Sequence, residues 1–469
     1  MTGADIWIIM PLAILAAASL LVLLLGAVVP GRYGTAVGVV ACLGAALWAL
    51  QTPPAAHAPS LGMAFTPFTR FFTVLFSLTA AATLFLSHDY NERCGIKGEE
   101  YPATVLFAAF GMAVVSASAN LLILFLGLEA LTFAFYILVA IDLNRGESAE
   151  AGLKYLVLGA VSAAFIAFGI ALLYAAAGTL SIAELVRLSP PAAAQDPVAL
   201  AGWGLLLIGI AFKVSLVPAH LWTPDVYQGA PTPVVAFLST ASKGAAIVFL
   251  LLLLPAGKGF SPLHTPLWWL ALLSMLLGNL AALLQANLKR MLAYSSIAQM
   301  GYVTLALLTS SSEGFGAVVF YLVVYTAMNL AAFGAVASLT GAAGMEDLED
   351  YRGLGYSRPF QAGVLALAMF ALAGIPPTAG FIGKFFIFYA AVRGGETPLA
   401  IIGILTAAIS AYYYLRVVVN LYMRPAETPE SRQPASMTES ITLSAATLVI
   451  LAMGVYPSPL LGLIDAILR

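Results

Sequence analysis

Charged residues are scarce in this chain. Of its 469 residues only 9% are Asp, Glu, Lys or Arg, and 61% are hydrophobic, whereas about 25% charged residues is typical of soluble domains. The mean hydropathy of +0.97 excludes an ordinary soluble globular protein. The composition therefore predicts an all-α polytopic membrane protein. The net charge of −2 gives no reason to expect a nucleic acid as a partner.

Cysteine and cofactor motifs are also nearly absent. Cys42 lies in an apolar segment and Cys94 in a polar loop, so we expect no disulfide between them. Two cysteines are too few for an iron–sulfur cluster, which takes about four ligands. No HExxH, CxxC or Gly-rich phosphate loop occurs, and the four histidines are scattered. We therefore expect no metal, nucleotide or redox cofactor on this chain.

Long apolar runs make up most of the sequence. A bilayer core about 30 Å thick needs roughly 20 apolar residues per helix, and fourteen segments meet or approach this length. They are 7–29, 35–50, 67–87, 103–118, 120–141, 151–177, 199–222, 232–254, 265–285, 291–309, 315–339, 360–392, 398–422 and 438–460. The sequence thus predicts about fourteen transmembrane helices.

The segments group into four predicted units. These are 1–102 with three helices, 103–254 and 265–422 with five helices each, and 438–469 with the last helix. The letters YLV occur in both five-helix units, at Tyr155–Val157 and Tyr321–Val323, and proline interrupts segments seven and twelve, at Pro218 and Pro376–Pro377. Proline inside a helix removes a backbone hydrogen bond and kinks or breaks the helix. Because five is odd, the two repeats have opposite topologies, as in transporters with inverted repeats and broken helices.

Basic residues in the loops predict the orientation. Ten lie on the side opposite the termini: Arg32, Arg93, Lys97, Arg145, Lys289, Arg290, Arg352, Arg358, Arg424 and Arg432. Five lie on the side of the termini: Arg70, Arg187, Lys258, Arg393 and Arg469. Since cytoplasmic loops carry the excess of Lys and Arg, we expect both termini on the outer side. The first residues lack the basic start of a removable signal peptide.

Few ionisable residues lie deep inside the apolar segments. Glu129 is the acid placed well inside one segment, and Lys213, Lys243 and Lys384 lie inside three others. Intramembrane charges are costly and commonly mark proton or substrate pathways. A carboxylate near a buried lysine stabilises the ammonium form, so moving the carboxylate or its proton switches the lysine. The set predicts a proton relay, and the alternative is a structural ion pair with lysines that extend to the membrane surface.

Helix ends give two of these lysines different surroundings. Lys213 precedes its proline break and lies near the negative end of a half-helix, which favours a cation. Lys384 follows its break and lies near the positive end of the next half-helix, which disfavours one. We therefore expect the two lysines to differ in their electrostatic environment.

Lys154 and His220 are two further candidates for the relay. Lys154 is about one turn into its segment, so it either joins the relay or extends its amine to the membrane surface. His220 follows the break in segment seven. It either carries protons near neutral pH or satisfies a backbone carbonyl that the break leaves free.

Polar side chains at helical spacing form stripes on four segments. They are Ser239 with Lys243, Ser295 with Gln299 and Tyr302, Tyr321 with Tyr325 and Asn329, and Tyr412 with Arg416 and Asn420. In membranes such stripes either line a water path or hydrogen-bond one helix to another.

Three stretches of the sequence resemble one family. KVSLVPAHLWTPDVYQGAPTPVVAFLSTASK, NLKRMLAYSSIAQMGY and GIPPTAGFIGKF are similar to the antiporter-like subunits of respiratory complex I. The core WTPDVYQGAPTP resembles the subunit N group, and Lys384 fits that group because the subunit M group has Glu there. The resemblance covers essentially the whole chain.

The resemblance implies a proton-translocating membrane subunit of a complex I-type NAD(P)H (or other donor):quinone oxidoreductase in a bacterial inner membrane. Glu129, Lys213, Lys243 and Lys384 match the buried glutamate and lysines of the family, and Lys154 matches its helix-six lysine. The implied partners are a neighbouring antiporter-like subunit, small membrane subunits and lipids. Quinone, flavin and iron–sulfur clusters are expected on partner subunits, with no redox chemistry on this chain.

Two points of the resemblance stay open. Family members often have His where this chain has Gln299, and an amide cannot accept and release a proton near neutral pH, so water held by Gln299 and Tyr302 is the expected substitute. The alternative function is that of a subunit of a multisubunit cation/proton antiporter, which shares the fold and the key residues.

Overall fold

The structure is a computed structural model that describes residues 3–28, 33–52, 56–58, 61–188, 196–254, 261–340, 345–426 and 435–468. Within these ranges, thirteen helices are long and apolar enough to cross a membrane. The remaining predicted segment, 360–392, consists of two shorter helices separated by a break. The chain is therefore an integral membrane protein, and the predicted polytopic all-α fold is confirmed. Four of the basic residues used for the orientation lie outside the described residues: Arg32, Lys258, Arg432 and Arg469.

Twenty α-helices, a π-helical turn, a 3-10 helix at Leu348–Tyr351 and two short strands are described. The helices of the N-terminal half are α1 (Gly3–Val28), α2 (Gly34–Gln51), α3 (Pro67–Cys94), α4 (Glu100–Ala117), α5 (Leu121–Val139), α6 (Gly146–Ala177), α7 (Ile182–Leu188), α8 (Pro197–Val214), α9 (Trp222–Gly229), α10 (Thr232–Phe237) and α11 (Lys243–Leu253). Those of the C-terminal half are α12 (Ser261–Leu283), α13 (Leu288–Leu308), α14 (Ser312–Thr340), α15 (Leu354–Ser357), α16 (Pro359–Ala373), α17 (Ala379–Arg393), α18 (Thr397–Met423), α19 (Met437–Val455) and α20 (Ser458–Leu468).

Segments seven and twelve are broken as predicted. In segment seven α8 ends at Ser215, which adopts the left-handed conformation with φ of 69°, and α9 begins after the break, at Trp222. Segment twelve consists of α16 and α17, and Gly374 ends α16 with φ of 85°. Each break contains proline, at Pro218 and at Pro376–Pro377, which cannot donate a backbone hydrogen bond. The fourth segment of each predicted five-helix unit, 103–254 and 265–422, is thus broken.

The eighth span, Thr232–Leu253, is buried inside the protein along nearly its whole length, with Leu252 partly exposed. It is not a uniform helix, because α10 and α11 are joined by a π-helical turn at Leu238–Ser242. Lys243 follows this turn directly and begins α11. Single π-helical turns are frequent at functional sites, and no feature of the sequence indicated this one.

Glycine lets α4 and α5 approach closely. A Cβ on Gly111 would lie 2.9 Å from the carbonyl oxygen of Gly127, and a Cβ on Gly127 would lie 3.0 Å from that of Gly111. Small residues at such crossings are common between membrane helices. Since Gly127 is two residues before Glu129, this crossing fixes the height of the carboxylate in the core.

The structure corrects the predicted end of the last segment and adds small elements. The segment predicted at 438–460 contains α19 and the start of a separate helix, α20, because Tyr456 and Pro457 separate them and proline disrupts a continuing helix. Leu460 and Ile464 of α20 are buried, whereas Leu463 is exposed. The strands β1 (Ala56–Ala58) and β2 (Met63–Phe65) form an antiparallel pair and, like α7, were not predicted.

Candidate functional site

Lys213 and Glu129 form an ion pair between α8 and α5. Lys213 Nζ lies 3.1 Å from Glu129 Oε1 and donates a hydrogen bond of 2.8 Å to Thr132 Oγ1. The side chains are 4% and 17% exposed, respectively. Lys213 also lies in the last turn of α8, where the negative end of the helix dipole favours a cation. The structure therefore brings together the acid and the first lysine that the sequence singled out.

Lys243 is buried among hydroxyl groups and an aromatic ring. Its Nζ donates a hydrogen bond of 2.6 Å to Ser296 Oγ and lies 5.4 Å from the centroid of the Tyr227 ring. Ser296 Oγ is in turn 2.6 Å from Tyr325 Oη, and either hydroxyl can donate. In the part of the chain that the structure describes, no carboxylate pairs with Lys243. Its ammonium is therefore stabilised by a hydroxyl and by a cation–π contact.

Lys384 reaches back across the break in segment twelve. Its Nζ donates hydrogen bonds of 2.7 Å to the carbonyl oxygen of Leu372 and of 3.3 Å to that of Ala373. These carbonyls lie in the last turn of α16, where helix carbonyls have no intrahelical partner. Lys384 lies near the start of α17, as predicted, but its ammonium binds the negative end of the preceding half-helix. Nothing in the sequence pointed to this contact.

Gln299 joins Lys384 to a group of tyrosines. Its Oε1 accepts a hydrogen bond from Tyr321 Oη. Its Nε2 donates at 3.2 Å to the carbonyl oxygen of Leu372 and at 3.1 Å to Tyr414 Oη. The carbonyl of Leu372 therefore binds Gln299 and Lys384 together.

The hydroxyl groups form a buried row between Lys243 and Lys384. Tyr325 shares a hydrogen bond with Ser296 on the side of Lys243, and Tyr321 donates to Gln299 on the side of Lys384. The rings of Tyr321 and Tyr325 are stacked, with their centroids 6.1 Å apart. We call this set, the hydroxyls of Ser296, Tyr325 and Tyr321 together with the amide of Gln299, the hydroxyl row.

Lys154 and His220 lie apart from these buried contacts. Lys154 Nζ is 2.8 Å from Glu150 Oε1 and 2.8 Å from Asp225 Oδ2, and its side chain is 43% exposed. His220 lies half-buried in the break between α8 and α9, with its ring centroid 6.5 Å from that of Tyr294. The structure does not bring either residue to Lys213, Lys243 or Lys384.

The polar stripes on α13 and α14 face each other in the core, but the stripe on α18 is oriented differently. Tyr412 is 66% exposed, while Tyr414 is buried and binds Gln299 and Ser295. Residues two apart lie on nearly opposite faces of a helix. The run of three tyrosines in the sequence did not show which of them faces inward.

Other contact residues were missed because their types are common in membrane helices. Thr132, Ser296 and Tyr227 gave no separate signal, although Ser296 lies beside the predicted Ser295. Glu439 was also missed, because it lies at the start of α19 and not in mid-segment. Its carboxylate is 1% exposed, with Oε1 2.5 Å from Arg93 Nη2.

Comparison with known proteins identifies the family. The family model described as NADH:quinone oxidoreductase/Mrp antiporter, TM, matches residues 118–410. This chain belongs to that family. A family relative from Geotalea uraniireducens (strain Rf4), named NADH-quinone oxidoreductase subunit N, is 84% identical over 469 residues, with 100% of both chains covered. The predicted resemblance is confirmed.

Solved structures of membrane complexes share the fold. A chain of respiratory complex I from Thermus thermophilus with bound aureothin has a TM-score of 0.85 at 37% identity, covering 97% of this chain and 99% of that chain. A chain of the Mrp complex from Dietzia sp. DQ12-45-1b has a TM-score of 0.83 at 21% identity, covering 100% of this chain and 97% of that chain. The second likeness concerns the fold alone.

Proposed function

We propose that this chain is a proton-translocating membrane-arm subunit of a complex I-type NADH:quinone oxidoreductase. The observation that carries the proposal is the buried sequence of groups from the Glu129–Lys213 pair through Lys243 and the hydroxyl row to Lys384. Isolated buried charges are expensive, and apolar residues commonly replace them at no cost in stability. Three buried lysines in one helix bundle therefore support a role in moving protons.

The Glu129–Lys213 pair is the proposed switch. While Glu129 stays 3.1 Å from Lys213 Nζ, its charge stabilises the ammonium. When a conformational change in partner subunits moves the carboxylate or protonates it, the ammonium loses that stabilisation and releases its proton. The break that follows Lys213 lets the end of α8 adjust without displacing the whole helix.

Lys243 and Lys384 are the proposed next carriers. Lys243 is bonded to a hydroxyl, and hydroxyls both donate and accept protons. Lys384 receives its proton near the far end of the hydroxyl row and stabilises it on the carbonyls of α16. The proton then leaves toward the outer side. Lys154 and His220 remain weaker candidates for this relay because they lie outside its contacts.

The proposed setting is the inner membrane of a bacterium, with both termini on the outer side. The excess of Lys and Arg in the opposite loops supports this orientation. Exposed apolar side chains, such as Leu126 and Phe133 on α5, offer surfaces for lipids and for a neighbouring antiporter-like subunit or small membrane subunits. Quinone, flavin and iron–sulfur clusters would be held by partner subunits, which supply the redox energy.

The test is Lys213→Ala in the assembled complex, reconstituted in liposomes. We expect the number of protons moved per electron to fall, because the switch loses its lysine, while electron transfer continues if pump and redox chemistry are loosely coupled. Lys97→Ala is a matched control, since Lys97 is an exposed loop lysine. An assembled Lys213→Ala complex with an unchanged proton-to-electron ratio would falsify the proposal.

The alternative is a subunit of a multisubunit cation/proton antiporter. We retain it because the Mrp chain has the same fold. Extraction in mild detergent distinguishes the two functions. Stoichiometric co-purification of flavin and iron–sulfur subunits supports the redox complex. Co-purification of apolar subunits alone, together with sodium-dependent proton exchange in vesicles, supports the antiporter.

A further inference from the structure

The short helix α9 connects the surroundings of two buried lysines. Trp222 Nε1 donates a hydrogen bond of 3.0 Å to the carbonyl oxygen of Phe212, the residue before Lys213. Tyr227, five residues later, lies against Lys243 with the ring centroid 5.4 Å from Nζ. A displacement of α9 therefore changes the contacts of both lysines at once.

Asp225 ties this helix to both repeats. Its Oδ2 is 2.8 Å from Lys154 Nζ on α6, and its Oδ1 is 2.7 Å from Arg290 Nη1 on α13. Each carboxylate oxygen thus binds a different helix, one from each five-helix unit. Arg290 Nη1 also donates at 3.1 Å to Gln228 Oε1, one residue before the end of α9.

The C-terminal end of α9 is held as well. Lys289 Nζ donates a hydrogen bond of 3.0 Å to the carbonyl oxygen of Ala230, which caps the helix. Gln228 Nε2 donates at 3.4 Å to Glu346 Oε2, and Glu346 pairs with Arg145 at 2.7 Å. Within α9, the carboxylate is supplied by Asp225. It attaches the helix to its neighbours α6 and α13.

Helix α9 depends on such contacts because it has only 8 residues. Isolated helices this short are unstable, and packing against other elements supplies most of their stability. The ring of Trp222 packs 4.7 Å from that of Tyr155 on α6, and Asp225, three residues later and therefore on nearly the same helix face, pairs with Lys154 on α6. Apolar packing and an ion pair therefore both attach α9 to α6.

We propose that Asp225 is a positioning residue that, by pairing with Lys154 and Arg290, holds α9 with Tyr227 against Lys243. The inference rests on the proposed function of the buried lysines. It gives Lys154 an anchoring role, in place of the two alternatives left open by the sequence, a proton carrier or an amine that extends to the membrane surface.

The first test is hydrogen–deuterium exchange of residues 222–230 in the intact complex, in lipid nanodiscs. Asp225→Asn keeps the shape of the side chain but removes its charge, so we expect about three- to tenfold faster exchange in α9. Asp225→Glu should restore much of the protection. Glu349→Gln is the control, because Glu349 pairs with Arg352 on the same side of the membrane without touching α9.

The second test is the pH profile of the proton-to-electron ratio in liposomes. Since Tyr227 stabilises the ammonium of Lys243, we expect a shifted profile and a ratio lowered at least twofold in Asp225→Asn, with recovery in Asp225→Glu. A purely structural role would lower the amount of assembled complex without shifting the profile. If Asp225→Asn does not assemble, Lys154→Gln removes one anchor and keeps the Arg290 pair.

Two results would overturn the inference. One is unchanged exchange in α9 of the assembled variants. The other is faster exchange with an unchanged pH profile, which would separate α9 from Lys243. Failure of the proposed function appears differently, as normal pumping by Lys213→Ala, and leaves the exchange measurement valid.

Discussion

Gly374 lies directly against Lys384. A Cβ placed on Gly374 would be 3.1 Å from Lys384 Cδ and 3.7 Å from its Nζ. Gly374 also has φ of 85°, a conformation that L-residues with a side chain rarely adopt. The end of α16 is therefore shaped to leave room for the lysine that binds its carbonyls.

The first prediction follows from this contact. In Gly374→Ala the new methyl group pushes the Lys384 side chain away from the carbonyl of Leu372, so we expect a several-fold lower proton-to-electron ratio without any change in charge. Gly395→Ala is a close control, because Gly395 has φ of 90° and nothing within 4 Å of its Cβ position. Equal pumping by the two assembled variants would contradict the prediction.

The second prediction concerns the left-handed Ser215, two residues after Lys213. A residue with a side chain costs about 1–2 kcal/mol in this conformation, so Ser215→Gly should raise the thermal midpoint of the assembled complex and keep pumping. Ser215→Val should lower both the thermal midpoint and the pumping, because a β-branched side chain fits this conformation poorly. Both variants lack the hydroxyl, so their difference reports the backbone conformation together with the packing of the valine side chain at this fully buried position. A lower midpoint for the glycine variant than for the valine variant would refute this account.

The third prediction tests the bridging amide. Gln299→Leu leaves the hydroxyl of Tyr321 without its buried acceptor, which costs about 1–3 kcal/mol, and it disconnects the hydroxyl row from Leu372. We expect lower stability and slower pumping. Thr304→Val is the control on the same helix, because the hydroxyl of Thr304 bonds within its own helix, to the carbonyl of Met300. Full pumping by Gln299→Leu would show that protons do not pass this point.

The fourth prediction concerns pH and the ion pairs of Asp225 that hold α9, the short helix between the seventh and eighth spans. Burial raises the pKa of the Asp225 carboxyl, but hydrogen bonds from Lys154 and Arg290 outweigh this effect and hold the pKa below its ordinary value. A carboxylate with a lowered folded-state pKa stabilises the fold above its unfolded pKa, and this contribution is lost as the pH falls through the folded value.

The corresponding measurement is hydrogen exchange of α9 against pH, corrected for the intrinsic rate. We expect constant protection from neutral pH down to about pH 5 and a loss below about pH 4, near the ordinary range of aspartate. Asp225→Asn should show the low protection at every pH. A transition near neutral pH in the native chain would assign the effect to another group.

The sequence allowed prediction of the fold and of the charged members of the site. Glu129, Lys213 and Lys243 stood out because charges inside apolar segments are rare, and the broken helices followed from Pro218 and Pro376–Pro377. These predictions depend only on the type of a residue and its position within one apolar segment. No knowledge of how the helices pack was needed to place these residues in the core.

The remaining contacts depend on how separate helices pack. Tyr414 and not Tyr412 faces Gln299, and Ser296 and not Ser295 binds Lys243, because the rotation of each helix is set by its neighbours. The hydrogen bond from Lys384 to the carbonyl of Leu372 could not be predicted for a different reason. Every residue has a backbone carbonyl, so the sequence did not show which carbonyl the break leaves without a partner in its own helix.

The hydroxyl row has a consequence for the timing of the proposed relay. A proton that leaves Lys243 through Ser296 and Tyr325 turns both hydroxyls to the opposite direction, and they have to rotate back before a second proton follows. Gln299 cannot reverse in this way, because its amide has a fixed acceptor and fixed donors. In the proposed relay the row is therefore oriented to return a proton, and not to pass a second one forward, until both hydroxyls have rotated back.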